Sequence, residues 1–231
     1  MTRQKRVLAV IPARGGSKGI PLKNRQLIGG STLVQRATAV CKSVDGLSHI
    51  AVSSDDLAIL GDVKDFNVRM VHRPQELAGD NSTSESVVLH ALDVIEVEDG
   101  IQFDAVLLIQ ATSPFTTSSD IQNVISKLAT NDSVFTAFKS HEFMWRSEQN
   151  ELRGVNHDHR ERVMRQNLRE SFVIENGAVY GMSLPEFRIH KFRFFGRMAV
   201  VEMPKIRSLE IDEWEDLEFA RVVDEHLRSR K

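Results

Sequence analysis

Short apolar runs alternate with amphipathic helical patterns along most of the chain, and this alternation limits the possible fold more than any other feature. The first run, Val7–Ile11, stops at Pro12, and the run Phe103–Ile109 is the most hydrophobic. Runs without polar alternation indicate strands that are buried on both faces of a sheet. Strands that alternate with helices at this spacing predict right-handed crossovers and a mostly parallel sheet. Such sheets bind ligands beyond the carboxyl ends of their strands.

The other predicted elements continue this order until a polar segment interrupts it. Further strands are predicted at His49–Ser53, Val68–Val71 and Ser133–Phe138. Helices are predicted from Gly29-Gly30 through Val40, at Leu57–Val63, at Ser82–Val97, from about Ser118 to Ala129, and at Trp214–Leu227. Residues 141–171 are polar with scattered large side chains, which indicates an insertion or an oligomerisation arm. We expect one α/β domain over residues 1–231, with this arm as an excursion.

Composition excludes several classes of function. Lys and Arg number 30 against 32 Asp and Glu, so the net charge of -2 argues against general nucleic-acid binding. Cys41 is the single cysteine, which excludes an internal disulfide framework and fits a reducing compartment. The sequence contains no run of the ~18–20 apolar residues that a membrane span needs. We therefore expect a cytoplasmic protein that binds small molecules and neither nucleic acid nor membrane.

A basic, glycine-rich loop follows the first predicted strand at residues 13–24. It carries three cations, which are Arg14, Lys18 and Lys23. Its three glycines allow backbone N–H groups to approach phosphate oxygens closely. Cations this close together repel each other unless an anion lies between them, and a triphosphate meets that need. The spacing matches neither the P-loop nor the dinucleotide-binding signature, so a nucleotide site of another kind is predicted.

The segment Arg14–Asn24 resembles the N-terminal signature of acylneuraminate cytidylyltransferases, also called CMP-sialic acid synthetases. Members of this family join CTP and a sialic acid to give the CMP-sugar and pyrophosphate. The resemblance runs from Val7 to about Val223. It implies a three-layer Rossmann-like nucleotidyltransferase domain whose arm forms a homodimer or a dimer of dimers. The resemblance also implies that six residues of the loop bind the nucleotide: Arg14, Gly15, Ser17, Lys18, Lys23 and Asn24.

Two further segments resemble blocks of the same family. In Arg73–Ser84, the resemblance implies that Arg73, Ser82 and Ser84 contact the cytosine and ribose of CTP. The cluster from Asp80 to Ser84 also predicts a helix N-cap, and both interpretations can hold together. In Gln110–Pro114, the resemblance places Gln110, Thr112 and Ser113 on the sugar side.

The segment from Arg165 to Tyr180 resembles the block that carries the family's essential arginine. The resemblance implies that Arg165 is catalytic and that Tyr180 lies on the sugar side. A guanidinium at this place could hold the carboxylate of the sugar or stabilise charge at the α-phosphate.

Ser208–Asp212 is similar to the Ser-x-Asp-Ile-Asp segment in which two family carboxylates hold Mg²⁺. Alternation along an extended segment puts Glu210 and Asp212 on one face, which suits two oxygen ligands to a hard cation. Glu210 stands where the family has Asp, and its longer side chain could bind directly or through water. Asp212 is the firmer candidate ligand.

Together these features predict Mg²⁺-dependent cytidylyl transfer from CTP to a sialic acid, with Arg14, Lys23, Arg165 and Asp212 as the catalytic residues. One alternative keeps the chemistry and changes the sugar to legionaminic, pseudaminic or deaminated sialic acid. A second is a nucleotide-binding protein without transferase activity, which Glu210 favours. A third is nucleic-acid binding through the arm at Arg160–Arg169, which the charge balance opposes.

Overall fold

The secondary structure follows the alternation that the sequence predicts. The computed structural model describes residues 5–148, 151–158, 160–161, 164 and 172–229. The strands are β1 (Val7–Pro12), β2 (Leu27–Ile28), β3 (Ser31–Thr32), β4 (His49–Ser54), β5 (Arg69–His72), β6 (Ala105–Ile109), β7 (Ser133–Ser140), β8 (Trp145–Glu148), β9 (Glu151–Gly154), β10 (Phe172–Ser183) and β11 (Met198–Glu202). The α-helices are α1 (Leu33–Lys42), α2 (Leu57–Asp62), α3 (Ser84–Glu98), α4 (Ser118–Lys127), α5 (Glu186–His190) and α6 (Trp214–Ser229).

Within the described part of the chain, seven strands form the central sheet in the order β11-β7-β10-β6-β1-β4-β5. β10 runs antiparallel to both of its neighbours, whereas the other pairs are parallel. The predicted mostly parallel sheet is therefore confirmed. β1 and β6 lie next to each other near the middle of the sheet, which explains why both are apolar on both faces.

Helices cover both faces of this sheet. Along β1, Leu8 and Val10 contribute to one hydrophobic cluster and Ala9 and Ile11 to the other, because successive side chains point to opposite faces. α1, α2, α4 and α6 pack on the Ala9 face, and α3 and α5 pack on the Leu8 face. The three-layer architecture is thus confirmed. Cys41 is buried in the first of these clusters, where burial raises the pKa of its thiol to about 12.

The first helix begins later than the sequence pattern indicates. Gly29 and Gly30 have φ values of +58° and +86° and form the turn between β2 and β3. Two consecutive positive φ angles suit a two-residue hairpin turn, where glycine meets no steric penalty. α1 instead starts at Leu33, where Thr32 and Gln35 form a capping box. The prediction that the glycine pair opens the helix is therefore wrong.

The arm predicted at residues 141–171 begins with a solvent-exposed hairpin. β8 and β9 pair antiparallel, and most of their side chains are exposed. Much of the second half of the arm, including Arg165, lies outside the described residues. Among the residues that the structure describes, no helix is long and apolar enough to cross a membrane.

Candidate functional site

A pocket of about 280 Å³ lies at the carboxyl ends of the central strands. Pro12 ends β1, Arg73 directly follows β5, and Gln110 directly follows β6. The structure brings most of the predicted site residues to this one pocket, which is lined by Arg14, Ser17, Lys23, Asn24, Arg73, Ser82, Ser84, Gln110, Thr112, Glu210 and Asp212. These residues come from four separate segments of the chain, and the sheet order brings the segments together.

The basic loop is held in place by contacts to its own backbone and to the end of β4. Asn24 is buried, and its Nδ2 donates a hydrogen bond of 3.0 Å to the carbonyl oxygen of Arg14. The N–H of Gly15 donates to Oδ1 of Asp55 at 3.1 Å. A Cβ at Gly15 would lie 2.9 Å from the side chain of Asp56, so the backbone can approach this closely only because the residue is glycine. Within this structure, Asn24 and Gly15 therefore shape the loop.

Each cation around the pocket is paired with a carboxylate of the protein. The N···O distances are 3.0 Å for Arg14–Asp80, 2.9 Å for Lys18–Asp80, 2.8 Å for Lys23–Asp212 and 3.4 Å for Arg73–Asp55. Sequence reasoning missed Asp55 and Asp80 as members of the site. The available signals were the position of Asp55 directly after β4 and of Asp80 in the same segment as Arg73. A polyphosphate that enters the pocket must compete with these carboxylates.

The cytosine-side candidates surround the start of α3. Arg73 is only 3% exposed, burial lowers the pKa of its guanidinium, and the nearby Asp55 opposes that shift. Its Nε is buried and makes no hydrogen bond to any described residue. Thr83 caps α3 by accepting a hydrogen bond of 3.1 Å from the N–H of Ser86, which leaves Ser84 to line the pocket. The N-cap prediction for this segment is confirmed.

The sugar-side candidates are divided between the pocket and the core. Gln110 and Thr112 line the pocket, whereas Ser113 and Tyr180 are only 4% and 3% exposed. The Tyr180 hydroxyl donates to the exposed Glu175, and the guanidinium of Arg193 lies 4.3 Å from the centre of the Tyr180 ring. Burial and the hydrogen bond to Glu175 raise the pKa of Tyr180. Contact of Ser113 or Tyr180 with a sugar stays a prediction.

Three hydrogen bonds fix the acidic segment that carries Glu210 and Asp212. The N–H of Ile211 donates to the carbonyl oxygen of Thr112 at 2.9 Å, which joins this segment to the Gln110 loop. The N–H of Asp212 donates to Asp216 Oδ2 at 3.0 Å, at the start of α6. At its other end, Ser208 accepts a hydrogen bond of 3.0 Å from the buried Asn176. The segment is therefore held at three points.

An irregularity in β10 makes room for Glu210. The pairing of β10 with β7 changes register between Glu175 and Tyr180, and Gly177 within this interval has a φ of +69°. A Cβ at Gly177 would lie 2.7 Å from Oε2 of Glu210. The backbone conformation favours glycine, and a side chain at this position would displace the Glu210 carboxylate from its present place.

The two carboxylates have different environments. Burial raises the pKa of Glu210 above its ordinary value, the charge of Asp212 adds to that rise, and Lys23 opposes it. The Asp212 side chain is 64% exposed, and Lys23, at 16% exposed, donates to it. Two mutually repelling carboxylates that face one pocket form a site at which a divalent cation could bind.

A buried ion pair fastens the acidic segment to α4. Arg207, the residue before Ser208, makes a two-point contact with Asp120, which includes a 3.1 Å bond from Nη2 to Oδ1. Asp120 is 4% exposed and also accepts a hydrogen bond of 2.9 Å from the N–H of Thr117. Burial alone would raise the pKa of Asp120, but Arg207 and Thr117 outweigh it and hold this pKa below its ordinary value.

We expect Asp120→Asn to destabilise the fold by about 2–4 kcal/mol, because it leaves the Arg207 guanidinium without its charge partner. The lowered pKa means that the pair stabilises the folded state above about pH 4 and that this stabilisation is lost as the pH falls through the folded pKa. Urea unfolding of the two proteins at pH 7 and near pH 3 checks this. The difference in unfolding free energy should shrink at the lower pH, and an unchanged difference contradicts the assignment.

This fold and this pocket together define a class of protein. A three-layer, mostly parallel α/β domain that gathers cations and carboxylates in one pocket at the carboxyl ends of its strands has the arrangement of a nucleotide-binding protein. The family profile described as "Cytidylyltransferase" matches residues 8–227. The chain belongs to the cytidylyltransferase family.

Relatives and solved structures agree with this membership. The chain is 26% identical over 224 residues to a pseudaminic acid cytidylyltransferase of Campylobacter jejuni, with 94% of this chain and 95% of that protein covered. It is 24% identical over 237 residues to the N-acylneuraminate cytidylyltransferase of Escherichia coli, which covers 98% of this chain and 54% of that protein. A solved CMP:2-keto-3-deoxy-manno-octonic acid synthetase in complex with CTP has the same fold, with a TM-score of 0.66 at 16% identity over 96% of this chain and 99% of that one.

Proposed function

We propose that the protein transfers the cytidylyl group of CTP to a nonulosonic acid, which is an acidic sugar of the sialic acid type, with release of pyrophosphate. The observation that carries this proposal is the arrangement of charge in the pocket. Arg14 and Lys23 of the basic loop line the same cavity as Glu210 and Asp212 at the carboxyl ends of the strands, and Lys23 pairs directly with Asp212. The phosphate oxygens of a triphosphate can bind the two cations, and a divalent cation that accompanies the triphosphate can bind the two carboxylates.

The donor set fits Mg²⁺. Glu210 and Asp212 supply hard oxygen ligands. Burial raises the pKa of Glu210 and the charge of Asp212 adds to that rise, and a cation would relieve the repulsion between the two carboxylates. The described residues contain no group of three acidic, His or Cys side chains that could hold a metal, so phosphate oxygens and water would complete the coordination, as Mg²⁺ prefers. When bound, the ion would neutralise the charge of the triphosphate.

The residues of the chain then act mainly by positioning and electrostatics. The anomeric hydroxyl oxygen of the sugar forms a bond to the α-phosphorus of CTP, the bond from that phosphorus to the bridging oxygen breaks, and the hydroxyl proton leaves to solvent. Arg14 and Lys23 hold the β- and γ-phosphates and stabilise the charge that develops on the departing pyrophosphate. Arg73, Ser82 and Ser84 hold the nucleoside from the start of α3.

On the sugar side, Gln110 and Thr112 line the pocket. Ser113, Tyr180 and Arg165 are the further residues of the chain that would serve sugar binding. Arg165 would bind the carboxylate of the sugar or the α-phosphate. The similarity to proteins named for pseudaminic acid and for N-acylneuraminate supports the nonulosonic acid class without choosing within it. We further propose a cytoplasmic enzyme that forms a homodimer through the arm at residues 141–171.

A pyrophosphate-release assay tests the nucleotide, the metal and the sugar together. CTP, Mg²⁺ and one sugar from a panel of sialic, legionaminic, pseudaminic and deaminated sialic acids should give pyrophosphate with at least one member. ATP, GTP and UTP serve as controls, and omission of Mg²⁺ with added chelator should stop the release. CTP binding without turnover on the whole panel would instead favour a nucleotide-binding protein without transferase activity.

A further inference from the structure

Asp80 uses both of its carboxylate oxygens to neutralise two cations of the basic loop. Arg14 Nη1 lies 3.0 Å from Oδ1, and Lys18 Nζ lies 2.9 Å from Oδ2. These hydrogen bonds hold the pKa of Asp80 below its ordinary value, so the side chain is ionised at neutral pH. Asp80 and Arg14 both line the pocket in which a polyphosphate would bind.

Asp80 reaches these cations from a different part of the chain. It lies between the 3₁₀ turn Gln75–Leu77 and α3, whereas the cations follow β1. Its side chain is 51% exposed, and those of Arg14 and Lys18 are 38% and 80% exposed. Ion pairs between exposed groups are individually weak, so an incoming anion can displace the carboxylate without disturbing the core.

Phosphate oxygens would need the same donors that Asp80 occupies. We propose that Asp80 is an internal counter-ion that competes with the β- and γ-phosphates of CTP, and with the pyrophosphate product, for Arg14 and Lys18. This inference rests on the proposed function for the identity of the phosphates. In the free protein the carboxylate screens the repulsion between the two cations. Once a phosphate is bound, the displaced carboxylate lies close to it, weakens its binding and favours release of pyrophosphate.

Calorimetric titration of the full chain with inorganic pyrophosphate tests the competition without requiring turnover. We expect Asp80→Asn to lower the Kd for pyrophosphate about threefold to tenfold, the range that the loss of two exposed ion pairs supports. Asp80→Ala should act in the same direction, and titration with CTP should show the same sign. Asp93→Asn is the matched control. Asp93 lies on α3, the helix that follows Asp80, and its exposed carboxylate pairs with Arg188 of α5. The Kd of this variant for pyrophosphate should stay at the wild-type value.

Weaker or unchanged pyrophosphate binding in both Asp80 variants would overturn the inference, since it would mean that Asp80 supports the ligand or does not touch its site. The two proposals fail separately. Tighter binding in the Asp80 variants, with no pyrophosphate release by the wild type from any CTP and sugar pair, would keep the counter-ion role and reject the transfer reaction. Pyrophosphate release by the wild type, together with weaker pyrophosphate binding in the Asp80 variants, would keep the transfer reaction and reject the counter-ion role.

Discussion

Asp212→Asn should lower kcat/KM for pyrophosphate release by on the order of 10³-fold or more, because it removes a cation ligand and the charge partner of Lys23 together. Asn keeps the shape of the side chain but is a poor ligand for a hard cation. Asp212 is exposed and its backbone N–H bonds Asp216, so the fold should not depend on its carboxylate. Initial rates over a range of Mg²⁺ concentrations, with the best sugar of the panel, measure the effect.

The matched control for this change is Glu215→Gln, which neutralises an exposed carboxylate in the first turn of α6. Its kcat/KM should equal that of the wild type. A readout that does not depend on turnover is the binding of Mn²⁺ in the presence of CTP, which should weaken in Asp212→Asn and not in the control. Full activity of Asp212→Asn would contradict the placement of this residue at the reaction centre.

The parts of the site that lie close together in the chain could be predicted from the sequence. The cations of the basic loop fall within residues 13–24, and Glu210 and Asp212 are two residues apart, so local spacing alone indicates that each group acts together. The strands that place these groups at one edge were also predictable, because buried parallel strands such as Val7–Pro12 are continuously apolar.

The remaining parts depend on contacts that no local pattern encodes. Arg207 and Asp120 are 87 residues apart, and only the sheet order brings them together. Asp55 and Asp80 look like ordinary capping and turn residues in sequence, and they join the site because β4 lies beside β1 and β5 lies beside β4. Tyr180 is a different case. The resemblance places it on the sugar side, whereas the structure buries its side chain in the core, where its hydroxyl donates to Glu175 of the same strand.

Lys23→Met should lower kcat/KM by about 10²–10³-fold, the range for loss of one preorganised donor to developing charge. The Lys23 side chain is 16% exposed, so its ammonium is held in the pocket by the protein instead of being dispersed in solvent. Met keeps the length and the packing of the stem, which leaves the charge as the main difference. Lys139→Met is the control, because it removes an exposed ammonium that pairs with Glu202 on the edge strand β11.

We also expect the effects of Lys23→Met and Asp212→Asn on kcat/KM to be coupled. If Lys23 acts on the phosphates directly, Lys23→Met weakens pyrophosphate binding as well as turnover; if it served only to orient Asp212, pyrophosphate binding without metal would not change. In the double variant, the losses should not add, because each single change already disrupts the same ion-paired unit. Additive losses in kcat/KM would show that the ammonium and the carboxylate act independently, and wild-type kcat/KM in Lys23→Met would remove this residue from the reaction centre.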